Sequence, residues 1–164
     1  MKAYILYDSL YGNTEKIAQA IANGLTGEVK VQRIGEADPT EITTCNMLIC
    51  GSPVHGGRAT PELDTFIKQL PANSLQGISV AAFDTRFESQ AQGVGLRILM
   101  SVIHYAAPRI AKALVKKGGI LIAEPEGFIV ENKEGPLKQG ELERATAWAT
   151  QLPLAQKLPT PTTT

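Results

Sequence analysis

The sequence predicts a three-layer α/β sandwich: a five-stranded parallel sheet with helices on both faces. Three observations predict it. Short apolar runs alternate along the chain with helical patterns. The central runs are apolar at consecutive positions, as in strands covered on both sides. The chain has 164 residues, 43% hydrophobic and 20% charged, which suits one domain with a full core rather than a disordered chain or a coiled coil.

Residues 2–7, KAYILY, form a short run of strand formers and read as the first strand. A turn, DSLYGN, leads to a helix on which Ile17, Ala18, Ile21, Ala22 and Leu25 share one apolar face. Residues 28–34 alternate and read as a less buried second strand. A polar linker with Pro39 leads to a central third strand, residues 46–50. The loop GSPVHGG follows it. Leu63, Phe66, Ile67 and Leu70 mark a second helix ending before Pro71. Residues 77–83 read as the fourth strand, followed by a polar loop over 84–92. A long helical pattern runs from about Val94 to Lys117, with a kink or restart expected at Pro108. Residues 119–123 read as the fifth strand, and FIVENKEGPL as a short extended continuation. The last helix carries Leu142, Ala145, Trp148, Ala149 and Leu152. The domain therefore spans 1–152, and 153–164 is a Pro/Thr-rich tail with little to pack.

Composition excludes several functions. Sixteen Lys/Arg balance sixteen Asp/Glu, so a nucleic-acid surface is not the expected main function. Two cysteines and two histidines cannot build a closed zinc cluster or a disulfide framework. Cys45 and Cys50 flank the third strand. Their spacing of five places them on opposite faces, as small buried apolar groups. His104, in the long helix, lies away from the ligand loops. The N-terminus does not read as a signal peptide, and no window has a membrane span's apolar length. No membrane insertion is expected, and the expected location is the cytoplasm.

In doubly wound sheets a ligand lies beyond the carboxyl ends of the strands. That selects the loops 8–14, 51–60 and 84–92, with 124–127 approaching from the rim. The first offers donors from Ser9, Tyr11, Asn13 and Thr14. Gly12 permits a tight turn, and a helix N-terminus follows. A phosphate monoester suits this loop. Ordinary capping by Asn13 or Thr14 accounts for it equally well. It is neither a P-loop, lacking Gly-Lys-Ser/Thr, nor the three-glycine dinucleotide fingerprint.

The segment Ser9-Leu10-Tyr11-Gly12-Asn13-Thr14 resembles the hydroxyl-rich loop of the flavodoxin family, Ser/Thr-x-Thr-Gly-x-Thr. The resemblance implies that this loop wraps the phosphate of FMN, with Ser9, Asn13 and Thr14 on its oxygens. Tyr11 replaces the usual threonine, as in the quinone-reductase branch. The stretch Gly51-Ser52-Pro53-Val54-His55-Gly56-Gly57 is similar to the family's Gly-Ser-Pro-x-x-x-Gly beside the flavin ring. In the family a peptide here flips with redox state, which points to Gly56–Gly57. Val54 and His55 stand where many members stack a Trp or Tyr. From the third loop, Phe83-Asp84-Thr85-Arg86-Phe87, the resemblance implies contacts to the ring and its pyrimidine edge. Phe87 is the stacking candidate. Arg86 is either a counter-charge to the reduced ring or a surface residue paired with Glu88. Asp84 either bonds ribityl hydroxyls or caps the loop, and Phe83 is either a contact or core.

The resemblance covers about residues 2–152, includes Gly135-Pro136-Leu137, and is of the short-chain type. It implies strand order 2-1-3-4-5 and FMN as cofactor. It also implies electron transfer to a redox partner protein or a small-molecule acceptor. Two alternatives stay open: an FMN-dependent NAD(P)H/quinone oxidoreductase, and a flavodoxin-like interaction module without flavin. The oligomeric state is open.

Overall fold

The computed structural model describes residues 1–88 and 105–153. Their elements are β1 (Lys2–Tyr7), α1 (Asn13–Gly24), β2 (Glu28–Arg33), α2 (Pro39–Ile42), β3 (Met47–Pro53), α3 (Pro61–Gln69), β4 (Ser79–Phe87), α4 (Ala106–Lys116), β5 (Ile120–Leu121), β6 (Glu126–Val130) and α5 (Glu141–Thr150).

The strands are parallel in the order β2-β1-β3-β4-β5, the flavodoxin-like topology, and β6 pairs with β4. Side-chain alternation splits the core into two layers. On one face Tyr4, Leu6, Leu48, Cys50, Val80 and Ala82 meet Leu63 and Ile67 of α3 and Ile110 and Leu114 of α4. On the other, Ile5, Met47, Ile49 and Phe83 meet Ile17 and Ile21 of α1 and Ala145 and Ala149 of α5. The runs that read as apolar throughout are strands facing two cores at once.

Several expectations change. The fifth strand divides: β5 keeps two residues, and the edge resumes as β6 after the turn at 122–125. Because β6 runs beside 83–87, β4 has a hydrogen-bonding partner there and continues to Phe87. Asp84, Thr85, Arg86 and Phe87 are therefore strand residues, not loop. The polar linker holds a one-turn helix, α2, whose Asp38 side chain accepts the Thr40 N–H. At Pro108 the outcome is a helix start, the second of the two expectations, rather than a kink: α4 begins at Ala106 after an extended Tyr105. Pro108 lies in the first turn of α4, where no intrahelical N–H is needed. The expected stretch of that helix from 94 to 104, His104 included, lies outside the described residues, as does the tail from 154. Cys45 and Cys50 are buried in the same core layer, not on opposite faces. Cys45 precedes β3 by two residues, so strand alternation does not govern it. Leu142 faces outward, 43% exposed, rather than into the core.

Candidate functional site

The first loop is built around an open helix end. Gly12 holds a left-handed backbone, φ 90°, that redirects the chain from β1 into α1. No side chain caps the helix. Its first internal bond is Lys16 N–H to Gly12 C=O, 3.1 Å, so the amides of Asn13, Thr14 and Glu15 find no acceptor within the helix. The side chains that sequence reasoning offered as caps point elsewhere. The Asn13 amide donates to Glu134 C=O, 3.1 Å. The Thr14 hydroxyl shares a bond with the Thr85 hydroxyl, 2.8 Å. The Ser9 hydroxyl accepts the Gly12 N–H, 2.9 Å. Tyr11 and Leu10 project outward, about half exposed.

The second loop is a tight hairpin. His55 and Arg58 exchange both backbone bonds, 2.8 and 3.1 Å, across Gly56 and Gly57, whose φ values are 57° and 75°. Two consecutive positive φ angles are what a primed two-residue turn demands, and glycine meets that demand without strain. His55 and Gly56 are exposed, and Pro53, Val54 and Gly57 half-buried. The Ser52 hydroxyl lies inside, accepting the Thr60 N–H at 2.9 Å. The buried Thr60 hydroxyl has no partner among the described residues.

The third segment is closed. The Asp84 carboxylate is fully buried and grips the Arg86 guanidinium at 2.5 and 2.9 Å. It also accepts the Ala107 N–H, 2.7 Å, at the start of α4. Burial pushes its carboxyl above the usual range, against the pull of Arg86 and the α4 amides. The Arg86 guanidinium carbon lies over the Tyr105 ring, 3.7 Å from its centre, and the side chain is 13% exposed. It pairs with Asp84, not with Glu88, which instead meets Lys138 at 3.1 Å. Phe83 is core, edge-on to Phe128 and pressed against Gly51. Phe87 is 54% exposed at the end of β4.

Cross-braces tie the three segments together. Asp8 N–H donates to Gly51 C=O and Val54 N–H to Thr85 C=O, both at 3.0 Å. The Thr14–Thr85 bond closes the set. The sheet thus brings all three predicted segments to one edge.

Sequence reasoning missed four contributors. Asp8 accepts the Ser9 N–H, 2.8 Å. Arg33 ties down the same loop through Asp8 and Ser9 C=O, 3.4 and 2.7 Å. The parallel register that sets Tyr7 beside Arg33 was the signal for that contact. Glu134 reaches the first loop from a remote turn, and Tyr105 carries Arg86. Neither leaves a mark in local patterning. Both thiols are buried and inert: burial pushes Cys45 up to about 11 and Cys50 higher still.

This arrangement suits a flat ligand with a phosphate. The α1 amides would take the phosphate, the exposed Tyr11 and Phe87 rings offer apolar faces, and the glycine hairpin admits close backbone approach. FMN has those parts.

The family model described as flavodoxin domain matches residues 4–94. A flavodoxin of Clostridium saccharobutylicum is 27% identical over 149 residues, covering 88% of this chain and 91% of that protein. An uncharacterized protein of Methanocaldococcus jannaschii is 38% identical over 88 residues. That match covers 49% of this chain and only 22% of the relative's length. Among solved structures, a flavodoxin from the domain Archaea superposes with a TM-score of 0.74 at 20% identity, covering 93% of this chain and 96% of that one.

Proposed function

The chain belongs to the flavodoxin domain family, and from that premise we propose that it binds FMN at the carboxyl ends of β1, β3 and β4 and serves as an electron-transfer flavoprotein. The observation that carries this reading is the uncapped N-terminus of α1, with three amides open and the helix dipole behind them.

In this reading the Asn13, Thr14 and Glu15 amides, with the Ser9 and Tyr11 hydroxyls, hold the phosphate. The Gly56–Gly57 hairpin and Val54 border one side of the ring system. Phe87 and Tyr11 supply aromatic faces. Asp84, Arg86 and Thr85 position these groups without spending their side chains on the ligand. Asp84 and Arg86 fix the end of β4 and the start of α4. Thr85 braces Thr14. FMN, when bound, accepts and releases one or two electrons, and the protein's part is binding, orientation and the electrostatic setting of the ring.

The test is a titration of apoprotein with FMN, followed by flavin fluorescence. Quenching that saturates at one equivalent, and reoxidation of the reduced complex by cytochrome c, are the expected results. Folded protein that leaves flavin fluorescence unchanged overturns the proposal. Rapid oxidation of NAD(P)H by the complex assigns it to the oxidoreductase class instead of a carrier.

A further inference from the structure

A chain with no net charge is not electrostatically featureless. From Ser89 to Ala123 it holds five Lys/Arg and not one Asp/Glu. The remainder carries eleven bases against sixteen acids. Three of those five cations, Arg109, Lys112 and Lys116, stand on α4 at spacings of three and four, one exposed stripe along a single face. Like charges so stacked repel one another. α4 also has no acid in its first turn, whereas α1, α2, α3 and α5 each have one or more. The local preferences of the helix are therefore set aside here.

The stripe borders a groove of about 760 Å³ between α3 and α4. Lys68 and Lys117 complete its cationic rim, and among the described residues no carboxylate lines it. Ile67, Pro108 and Ala113 give it an apolar floor. Lys68 is already paired with Asp64 at 2.6 Å, and Lys117 is anchored on the α3 carbonyl of Lys68 at 2.8 Å. Lys112 and Lys116 form no ion pair among the described residues.

We propose that the α3–α4 groove is a docking site for an acidic amphipathic segment of a partner protein. Its carboxylates would meet Lys112 and Lys116, and its apolar side chains the floor. A small phosphate calls for cations converging on a point, but these are strung along about 10 Å of helix. A nucleic acid gains little from an apolar floor, and a chain of zero net charge does not attract one from a distance. The groove lies between helices and contains none of the cofactor residues, so this inference stands apart from the FMN reading.

The test uses the full chain and two fluorescein-labelled peptides of about fifteen residues. One has glutamates on one helical face and leucines on the other, and the second is glutamate alone. The amphipathic peptide is expected to bind in low salt and to outcompete the glutamate peptide. K112E/K116E is expected to weaken it at least about tenfold. K112Q/K116Q should give a smaller loss, and K133E, on a distant loop, none. Unchanged affinity in K112E/K116E overturns the proposal. So does a preference for the glutamate peptide or for a labelled DNA duplex. A particle mass above the monomer that falls in K112E/K116E would replace the foreign partner with a second copy of this chain.

Discussion

The N-termini of α1 and α4 lie at the same edge of the same sheet and are finished in opposite ways. At α4 a buried carboxylate closes the helix: Asp84 takes the Ala107 N–H and is itself held by Arg86, which rests on Tyr105. At α1 a glycine turns the chain and nothing closes it. The polar neighbours Asn13 and Thr14 are committed to other atoms, and Ser9 Oγ accepts the Gly12 N–H, leaving its own O–H to donate. Helix ends ordinarily recruit a cap from residues of this kind. Closure was available at this sheet edge and is used at α4. Of these two ends, the open one is where the proposed phosphate sits. α5 likewise starts on a left-handed glycine, Gly140, with no side-chain cap; the carboxylate of its first-turn Glu141 goes to the Ile129 N–H and to Arg144 at 2.7 Å rather than to the helix amides.

Removing the closure should cost most. Asp84→Ala leaves Arg86 without its counter-charge and an α4 amide unsatisfied, and should lower stability by about 3–5 kcal/mol in urea unfolding. A loss under about 1 kcal/mol would mean that the carboxylate is not what secures this end. Charging the open end should act on the ligand instead. Asn13→Asp adds a negative charge in the first turn, at the cost of the amide's bond to Glu134 C=O, and should weaken FMN about a hundredfold. Riboflavin, which has no phosphate, should be indifferent to it. Gly12→Ala tests the turn itself. A Cβ there meets no atom within 4 Å, so the cost is backbone strain alone, about 1–2 kcal/mol by thermal or urea unfolding.

The smallest effect concerns α5. Partial burial raises the Glu141 carboxyl, but Arg144 and the Ile129 N–H outweigh it and hold the group below its ordinary 4.5. The native state therefore binds fewer protons than the unfolded chain in that region. Stability from this group is present above pH 4.5 and is lost as pH falls through the lowered value. Glu141→Gln should flatten the acid limb of a stability–pH profile. An unchanged slope would remove Glu141 from the account.

The sheet and the three candidate segments at its edge were legible because apolar runs report burial on two faces, and because the first two loops carry turn residues in recognisable patterns; the strand order came from the family resemblance, not from the runs. GSPVHGG reads as a loop from sequence, and Gly56–Gly57 form the turn within it. The end of β4 was not legible. Asp84-Thr85-Arg86 is polar and reads as loop, but β6, some forty residues on, pairs with it and makes it strand. The destination of Arg86 was hidden for the same reason: Asp84 is two residues away, on the same side of a strand not foreseen there. Cys45 misled because alternation was carried past the end of its strand. The charge segregation behind the α3–α4 groove was present in the sequence, but a net charge of zero conceals it.

The proposed phosphate site at the open end of α1 is tested by parallel titration of the apoprotein with FMN and with riboflavin. Saturation by one equivalent of FMN is expected, at an affinity at least about a hundredfold above that for riboflavin. Equal affinity for the two, or binding of neither by folded protein, would contradict it.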